Sequence, residues 1–164
     1  MYSNVLLRPF NLLPINIRKR VSRQVCSSLG DYHKDVDDGV LEEVRVLNEE
    51  YQIYTIASCE GHLPYSSAYI LGHITDLKQR IFKEYMKENH INPINKGKDK
   101  IEFLFEEIDY KLNISIDEYY IRGSKDGFLL DVKSNIEEIS QNEWDKIRKT
   151  GFRKAINIIK KAFS

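Results

Sequence analysis

Five consecutive residues with reactive or ligand-binding groups stand between two apolar segments of the chain: Ser58, Cys59, Glu60, Gly61 and His62. A thiol, a carboxylate and an imidazole at this spacing can serve as nucleophile, acid, base or metal ligand. Gly61 can adopt a positive φ, and successive amides in such a turn can form an anion-binding nest. We therefore predict that a nucleotide or another phosphate-bearing small molecule binds at the Ser58–His62 turn.

The same residue types leave other chemistry open. Cys59 activated by His62 could be a catalytic nucleophile, which requires a hydrogen bond between the two side chains. Cys59 and His62 could instead hold a transition metal, with further ligands drawn from His33, Asp35 or His73. For Glu60 we favour a structural or ligand-orienting role, in which its carboxylate accepts amide hydrogen bonds or holds a basic residue such as Arg23 or Arg153.

Acidic residues precede the first helical pattern of the chain. Asp35, Asp37 and Asp38 stand at the start of a helix that is predicted to end near Glu50 and to lead into the strand before the turn. If helix and strand are antiparallel, these acids lie at the end of the strand from which the turn emerges. Asp37 therefore joins the predicted ligand-binding residues.

Basic residues concentrate at the two ends of a chain whose formal net charge is zero. Residues 1–30 contain five Lys and Arg residues and no acid, and the last helical pattern repeats the bias with Arg153 among its cations. Such a surface would suit phosphate, so Arg153 is a predicted ligand-binding residue and RNA is a candidate partner. The alternative is an ordinary solvated helix face.

Periodicity divides the rest of the chain into short helices and strands. Strands are predicted at Tyr51–Ser58 (as an inner strand), Ser67–Thr75, Ile101–Ile108, Leu112–Ile116, Tyr119–Arg122 and Phe128–Val132, the last after a turn at Ser124–Gly127. Asp76 is predicted to cap a helix with Leu77, Ile81, Phe82, Tyr85 and Met86 as its apolar stripe, followed by a polar loop over 89–100. A last helix begins near Asn142, with a bend or break at Gly151.

Sequential strands with helices before, between and after them predict the fold class α+β, with a mainly antiparallel or mixed sheet and flanking helices. The 164 residues suit a single domain, divided into a basic N-terminal arm (1–30) with at most one short helix and an α+β domain (31–164).

Composition narrows the class of protein. Cys26 and Cys59 are predicted to be free thiols in a reducing compartment, because the chain has neither a secretory leader nor a disulfide-dense pattern. No apolar stretch approaches the length of about 20 residues that a membrane span requires. We predict a cytoplasmic protein without a membrane partner, and we leave open whether it forms a homo-oligomer.

The spacing of Val36-Asp37-Asp38, Leu47-Asn48, Thr55 and the Ser58–His62 turn, over about residues 33–74, resembles the signature of the wyosine-type tRNA methyltransferase family. That family has serine at the position of Glu60 and arginine at that of His62. The resemblance implies an RNA methyltransferase that uses S-adenosylmethionine, with Asp37 and His62 near the reacting groups.

The turn is also similar to one in short uncharacterised proteins, many of them from phages and mobile elements, which carry Ser-Cys-Glu-Gly-His. That resemblance implies a protein that sequesters a host signalling nucleotide. A third alternative is a metal-stabilised module in which Cys59 and His62 hold the ion and the basic ends bind nucleic acid.

Overall fold

The computed structural model describes residues 36–95, 101–118 and 127–164. A 3-10 turn, Asp38–Val40, leads into the helix α1. The helices are α1 (Leu41–Glu49), α2 (Asp76–Glu88) and α3 (Gln141–Ala162). The strands are β1 (Tyr54–Cys59), β2 (Ser67–His73), β3 (Ile94–Asn95), β4 (Ile101–Glu106), β5 (Tyr110–Glu118) and β6 (Gly127–Ser134).

The strands form one antiparallel sheet in the order β1-β2-β6-β5-β4-β3. This confirms the predicted α+β fold with a mainly antiparallel sheet. An inner strand was predicted at Tyr51–Ser58, whereas among the described residues β1 stands at one end of the strand order and pairs with β2. The short strand β3 lies inside the segment that was predicted to be a loop.

The core lies on one face of the sheet. Side chains alternate along β5, so that Leu112, Ile114 and Ile116 are fully buried and pair with Val132, Leu130 and Phe128 of β6. Helix α3 packs on this face, since a Cβ added to Gly151 would lie 2.6 Å from Val132. Helix α2 lies on it too, through edge-to-face contacts of Phe82 with Phe103 and Phe128.

Helix α3 is continuous through Gly151, so the predicted bend or break there is wrong. The glycine serves close packing, because any side chain at this position would run into Val132. The helix begins with a capping box in which the Ser140 hydroxyl accepts from the Glu143 amide at 3.2 Å and the Glu143 carboxylate accepts from the Ser140 amide at 3.2 Å.

Helix α2 differs from its prediction at the cap and along its stripe. The Thr75 hydroxyl caps the helix by accepting from the Lys78 amide, and Asp76 is the first helical residue. Phe82 and Met86 are buried as predicted, but 59% of Leu77 is exposed, because the buried stripe of this helix is narrow.

A buried polar contact joins α1 to β1. The Asn48 amide nitrogen donates to the Val44 carbonyl at 2.7 Å and to the Thr55 hydroxyl at 2.9 Å, and the Asn48 oxygen accepts from the Thr55 amide at 3.1 Å. Asn48 and Thr55 are both fully buried, so each hydrogen bond avoids a substantial desolvation cost. This contact fixes how the helix that starts beside Asp37 lies against the strand that ends at Cys59.

Several predictions concern residues outside the described ranges. They are the basic arm over 1–30, the strand at Tyr119–Arg122, the turn up to Gly127, and the residues Arg23, Cys26, His33 and Asp35. None of the helices in the described ranges is long and apolar enough to cross a bilayer.

Lys78 provides a prediction about pH. Burial lowers the pKa of its ammonium to about 8, and the nitrogen donates to the Tyr51 carbonyl beside the Phe163 ring. A lysine whose pKa is depressed from 10.5 binds fewer protons in the folded state, so stability gains with pH between about 8 and 10.5. We expect the free energy of unfolding of the wild type to rise between about pH 8 and pH 10.5, and that of Lys78→Met to lack this rise. Urea unfolding of the two proteins at several pH values in this range measures the difference. Parallel pH profiles for the two proteins would contradict it.

Candidate functional site

The Ser58–His62 turn begins in the last two residues of β1 and forms the first part of the connection to β2. Gly61 has a φ of +81°, which confirms that the turn needs a residue without a side chain there. A Cβ at Gly61 would lie 2.6 Å from the Ser67 carbonyl oxygen and 2.8 Å from the Trp144 ring. Backbone on one side and an indole on the other therefore hold the turn in one shape.

Glu60 is fixed by contacts at both its carbonyl and its carboxylate. The carbonyl accepts from the Trp144 indole at 3.1 Å and from the Arg148 guanidinium at 3.4 Å. The carboxylate accepts from the Gly39 amide at 2.9 Å. These contacts support the structural role predicted for Glu60, with α3 and the 3-10 turn as its partners.

Arg148 joins three segments of the chain. Besides the Glu60 carbonyl, it donates to the Gly39 carbonyl at 3.2 Å and pairs with Asp145 at 3.0 Å. Its side chain is only 8% exposed. Arg148 thus holds the 3-10 turn, the Ser58–His62 turn and α3 together.

Asp37 lies beside the Ser58–His62 turn, as the antiparallel arrangement of α1 and β1 predicts. Its carboxylate accepts from the Glu60 amide at 3.1 Å and lies 3.7 Å from His62 Nε2. Asp37 is the N-cap residue of the 3-10 turn but makes no side-chain capping bond there. The side chain is turned toward the strand end instead.

Three different ligand types meet at this point. One carboxylate oxygen of Asp37, Sγ of Cys59 and one ring nitrogen of His62 all lie within 4.8 Å of one another. The Gly61 amide donates to Sγ at 3.4 Å. The His62 side chain is 70% exposed and that of Asp37 37%, so one side of the cluster faces solvent.

Oxygen, sulfur and nitrogen in one cluster suit a borderline metal such as Zn²⁺. Ligand bonds of about 2.0 to 2.3 Å place tetrahedral ligand atoms roughly 3.5 Å apart. Closing the cluster onto an ion therefore needs shifts of about an ångström, which the exposed His62 ring can supply. Three protein ligands leave a fourth position for a water or another ligand.

The amides of the turn have partners inside the protein. The Glu60 amide donates to Asp37 and the Gly61 amide donates to Cys59. An anion at this turn therefore needs another source of positive charge. A metal ion on the cluster would provide it.

The other predicted site residues fall in different places. Ser58 is half-buried in β1 opposite Ile70. His73 pairs with Tyr54 at the far end of the β1–β2 pair, whereas Cys59 pairs with Tyr69, so His73 is not a third ligand. Arg153 lines a groove between α2 and α3, so Arg148 replaces it as the basic residue at Glu60.

A cavity of about 590 Å³ lies next to the turn. Leu63, Pro64 and Ser66 form one wall, and Lys133 with the 134–139 loop forms the other. Tyr65, 80% exposed, follows on the same connection. The volume suits an organic molecule of nucleotide size.

No family model matches this chain, and no curated protein matches it in sequence.

Proposed function

We propose that this protein binds a divalent transition metal ion, with Zn²⁺ as the first candidate, on Asp37, Cys59 and His62. We further propose that the open position of the ion takes a phosphate or other anionic group of a nucleotide-like ligand. The observation that carries the proposal is the convergence of the three ligand atoms within 4.8 Å of one another.

The surroundings of the cluster support a metal centre. The Glu60 and Gly61 amides donate to Asp37 and Cys59, and such outer contacts orient the groups that ligate a metal. Trp144 and Arg148 hold the Glu60 carbonyl, so the turn has its shape before any ion arrives. A site prepared in this way loses little conformational entropy on binding.

Charge supports an anionic ligand. A carboxylate and a thiolate together neutralise one divalent ion, which leaves a neutral centre with an open Lewis-acid position. Without the ion, Asp37 and Glu60 would repel a phosphate at this turn. The neighbouring 590 Å³ cavity offers space for the rest of the ligand.

Calorimetric titration of zinc-loaded and chelator-treated protein tests the proposal. The panel comprises mononucleotides, cyclic nucleotides, ADP-ribose and S-adenosylmethionine. We expect one nucleotide-like compound to bind the zinc-loaded protein at least about tenfold more tightly, and His62→Ala to remove the difference, because the ion contributes the anion's main electrostatic attraction.

Each result assigns a different function. A nucleotide bound through the metal supports the proposal, including the sequestration of a signalling nucleotide that was predicted above. S-adenosylmethionine bound equally with and without metal would replace it with the RNA methyltransferase alternative. Failure of the purified protein to retain zinc after dialysis would refute the metal centre itself.

A further inference from the structure

The outward surface of α3 carries a concentration of positive charge that the metal centre does not use. From Lys146 to Ala162 the helix contains seven Lys and Arg residues and no acid. Arg148 is turned inward, toward Glu60. Five of the other cations form a surface that we call the basic face of α3. They are Lys149, Arg153, Lys154, Lys160 and Lys161.

Helical geometry aligns these residues along the helix. Because each residue turns the helix by about 100°, Lys149, Arg153 and Lys160 lie within roughly 40° of one another around the helix axis. Buried Ala155 and Ile159 lie on the other side of the helix. Lys154 and Lys161 flank the three basic residues on the side of α2. The basic face extends over about 18 Å at 1.5 Å per residue. All except half-buried Lys154 are exposed.

A groove of about 390 Å³ adjoins this face. Three cations line it, Arg153, Lys154 and Lys161, and its other lining residues are Tyr85, Tyr110, Thr150, Asn157 and Ile158. None of these lining residues is acidic. Cations beside aromatic rings and polar side chains are typical of surfaces that follow a sugar–phosphate chain.

Acidic groups oppose only part of the basic face within the described ranges. Glu107 pairs with Lys154. Burial raises the pKa of the Glu43 carboxyl of α1 above its usual range, and the charge of nearby Lys149 opposes this shift. The described ion pairs include none of Arg153, Lys160 and Lys161, although Glu84 and Glu88 of α2 line a second groove together with Lys161.

We propose that the basic face of α3 and its groove bind the phosphate backbone of single-stranded nucleic acid. Helix α3 contacts both α1 and α2, so it lies within a layer of helices and does not protrude. A duplex groove about 12 Å wide needs a protruding helix, whereas an open strand can lie along a flat layer. The proposal uses different residues from the metal centre and does not rest on it.

Fluorescence anisotropy with labelled oligouridine and oligothymidine of about 15 nucleotides tests this proposal. Neutralising about three phosphates predicts a slope of about −2 for log K against log salt concentration. Arg153→Glu/Lys160→Glu should lower the affinity at least about tenfold and reduce the slope by about 1.4. A preference for one oligomer identifies the natural strand as RNA or DNA.

The control is Lys111→Glu, compared with the single variant Lys160→Glu. Lys111 is exposed on β5 and alternates with the buried residues that face the helices, so the variant makes the same charge change on the opposite face. Lys111→Glu should bind within about threefold of the wild type, and Lys160→Glu should bind more weakly than Lys111→Glu. Circular dichroism verifies that all the variants are folded.

Three results would overturn the proposal. The first is no binding to either oligomer at low salt. The second is a loss of affinity in Lys111→Glu equal to that in Lys160→Glu. The third is a result showing that the face recognises bare charge. Either tighter binding to a duplex, or competition by polyglutamate as effective as that by the unlabelled oligomer, would be such a result.

Discussion

Replacing Cys59 with alanine is expected to lower the affinity for Zn²⁺ by more than about 100-fold. Loss of an outer-shell partner alone commonly costs 10- to 100-fold, and Cys59 supplies the thiolate ligand itself. His62→Ala removes the imidazole and should have a similar effect. Competition with a chromophoric chelator measures each affinity, and Co²⁺ substitution reports the thiolate ligand by its absorption.

Two carboxamide variants provide the matched comparison for this metal prediction. Asp37→Asn and Glu60→Gln each remove one negative charge and keep a side-chain oxygen that can accept the existing amide hydrogen bond. Of these two residues, only Asp37 supplies an atom of the cluster. The affinity for Zn²⁺ should therefore fall at least about tenfold in Asp37→Asn and less than about threefold in Glu60→Gln. Equal losses in the two variants would indicate a diffuse electrostatic effect and contradict a coordinated ion.

Gly61→Ala should lower the free energy of unfolding by about 3 kcal/mol. Strain arises because a non-glycine residue at a φ of +81° is unfavourable. The added methyl group would also lie 2.6 Å from the Ser67 carbonyl oxygen and 2.8 Å from the Trp144 ring, and neither can move freely. Urea unfolding followed by Trp144 fluorescence measures the change.

Gly39→Ala is the comparison for the Gly61 variant. The first atoms that its methyl group meets are the Glu60 carboxylate and the Arg148 guanidinium, side-chain ends that can shift only at the cost of their hydrogen bonds to Gly39. Its φ is also outside the positive region. We therefore expect a loss of about 1 to 2 kcal/mol. A Gly61→Ala protein as stable as the wild type would show that the turn can change its backbone shape.

The elements around the site could be predicted because their signals are local. The alternation before Ser58 and the helical spacing after Val40 depend on near neighbours, and they put β1 and α1 in place. The same two elements made it possible to expect Asp37 beside the turn. The place of β1 at one end of the described strand order depends on partners far along the chain, and a bulge between Thr55 and Ala57 interrupts its alternation.

Trp144 and Arg148 were not predicted as site residues, because a tryptophan in a helical pattern indicates core packing and an arginine in a basic terminal helix indicates surface. Arg153, the residue chosen instead, lies five positions further on. Five residues turn a helix by about 140°, which carries Arg153 away from Glu60 and into the groove beside α2. The residue types therefore predicted a basic side chain at the turn. Only the direction in which each residue points from the helix could identify it as Arg148.

The hydrogen bonds from Trp144 and Arg148 to the Glu60 carbonyl connect residues 84 and 88 positions apart. During synthesis at about 5 to 20 residues per second, the turn emerges from the ribosome several seconds before its two donors. A nascent chain thus holds Cys59 and His62 without the support that shapes them. An ion captured in that interval would meet two flexible ligands, so selective uptake by the proposed metal centre is expected only after α3 has docked.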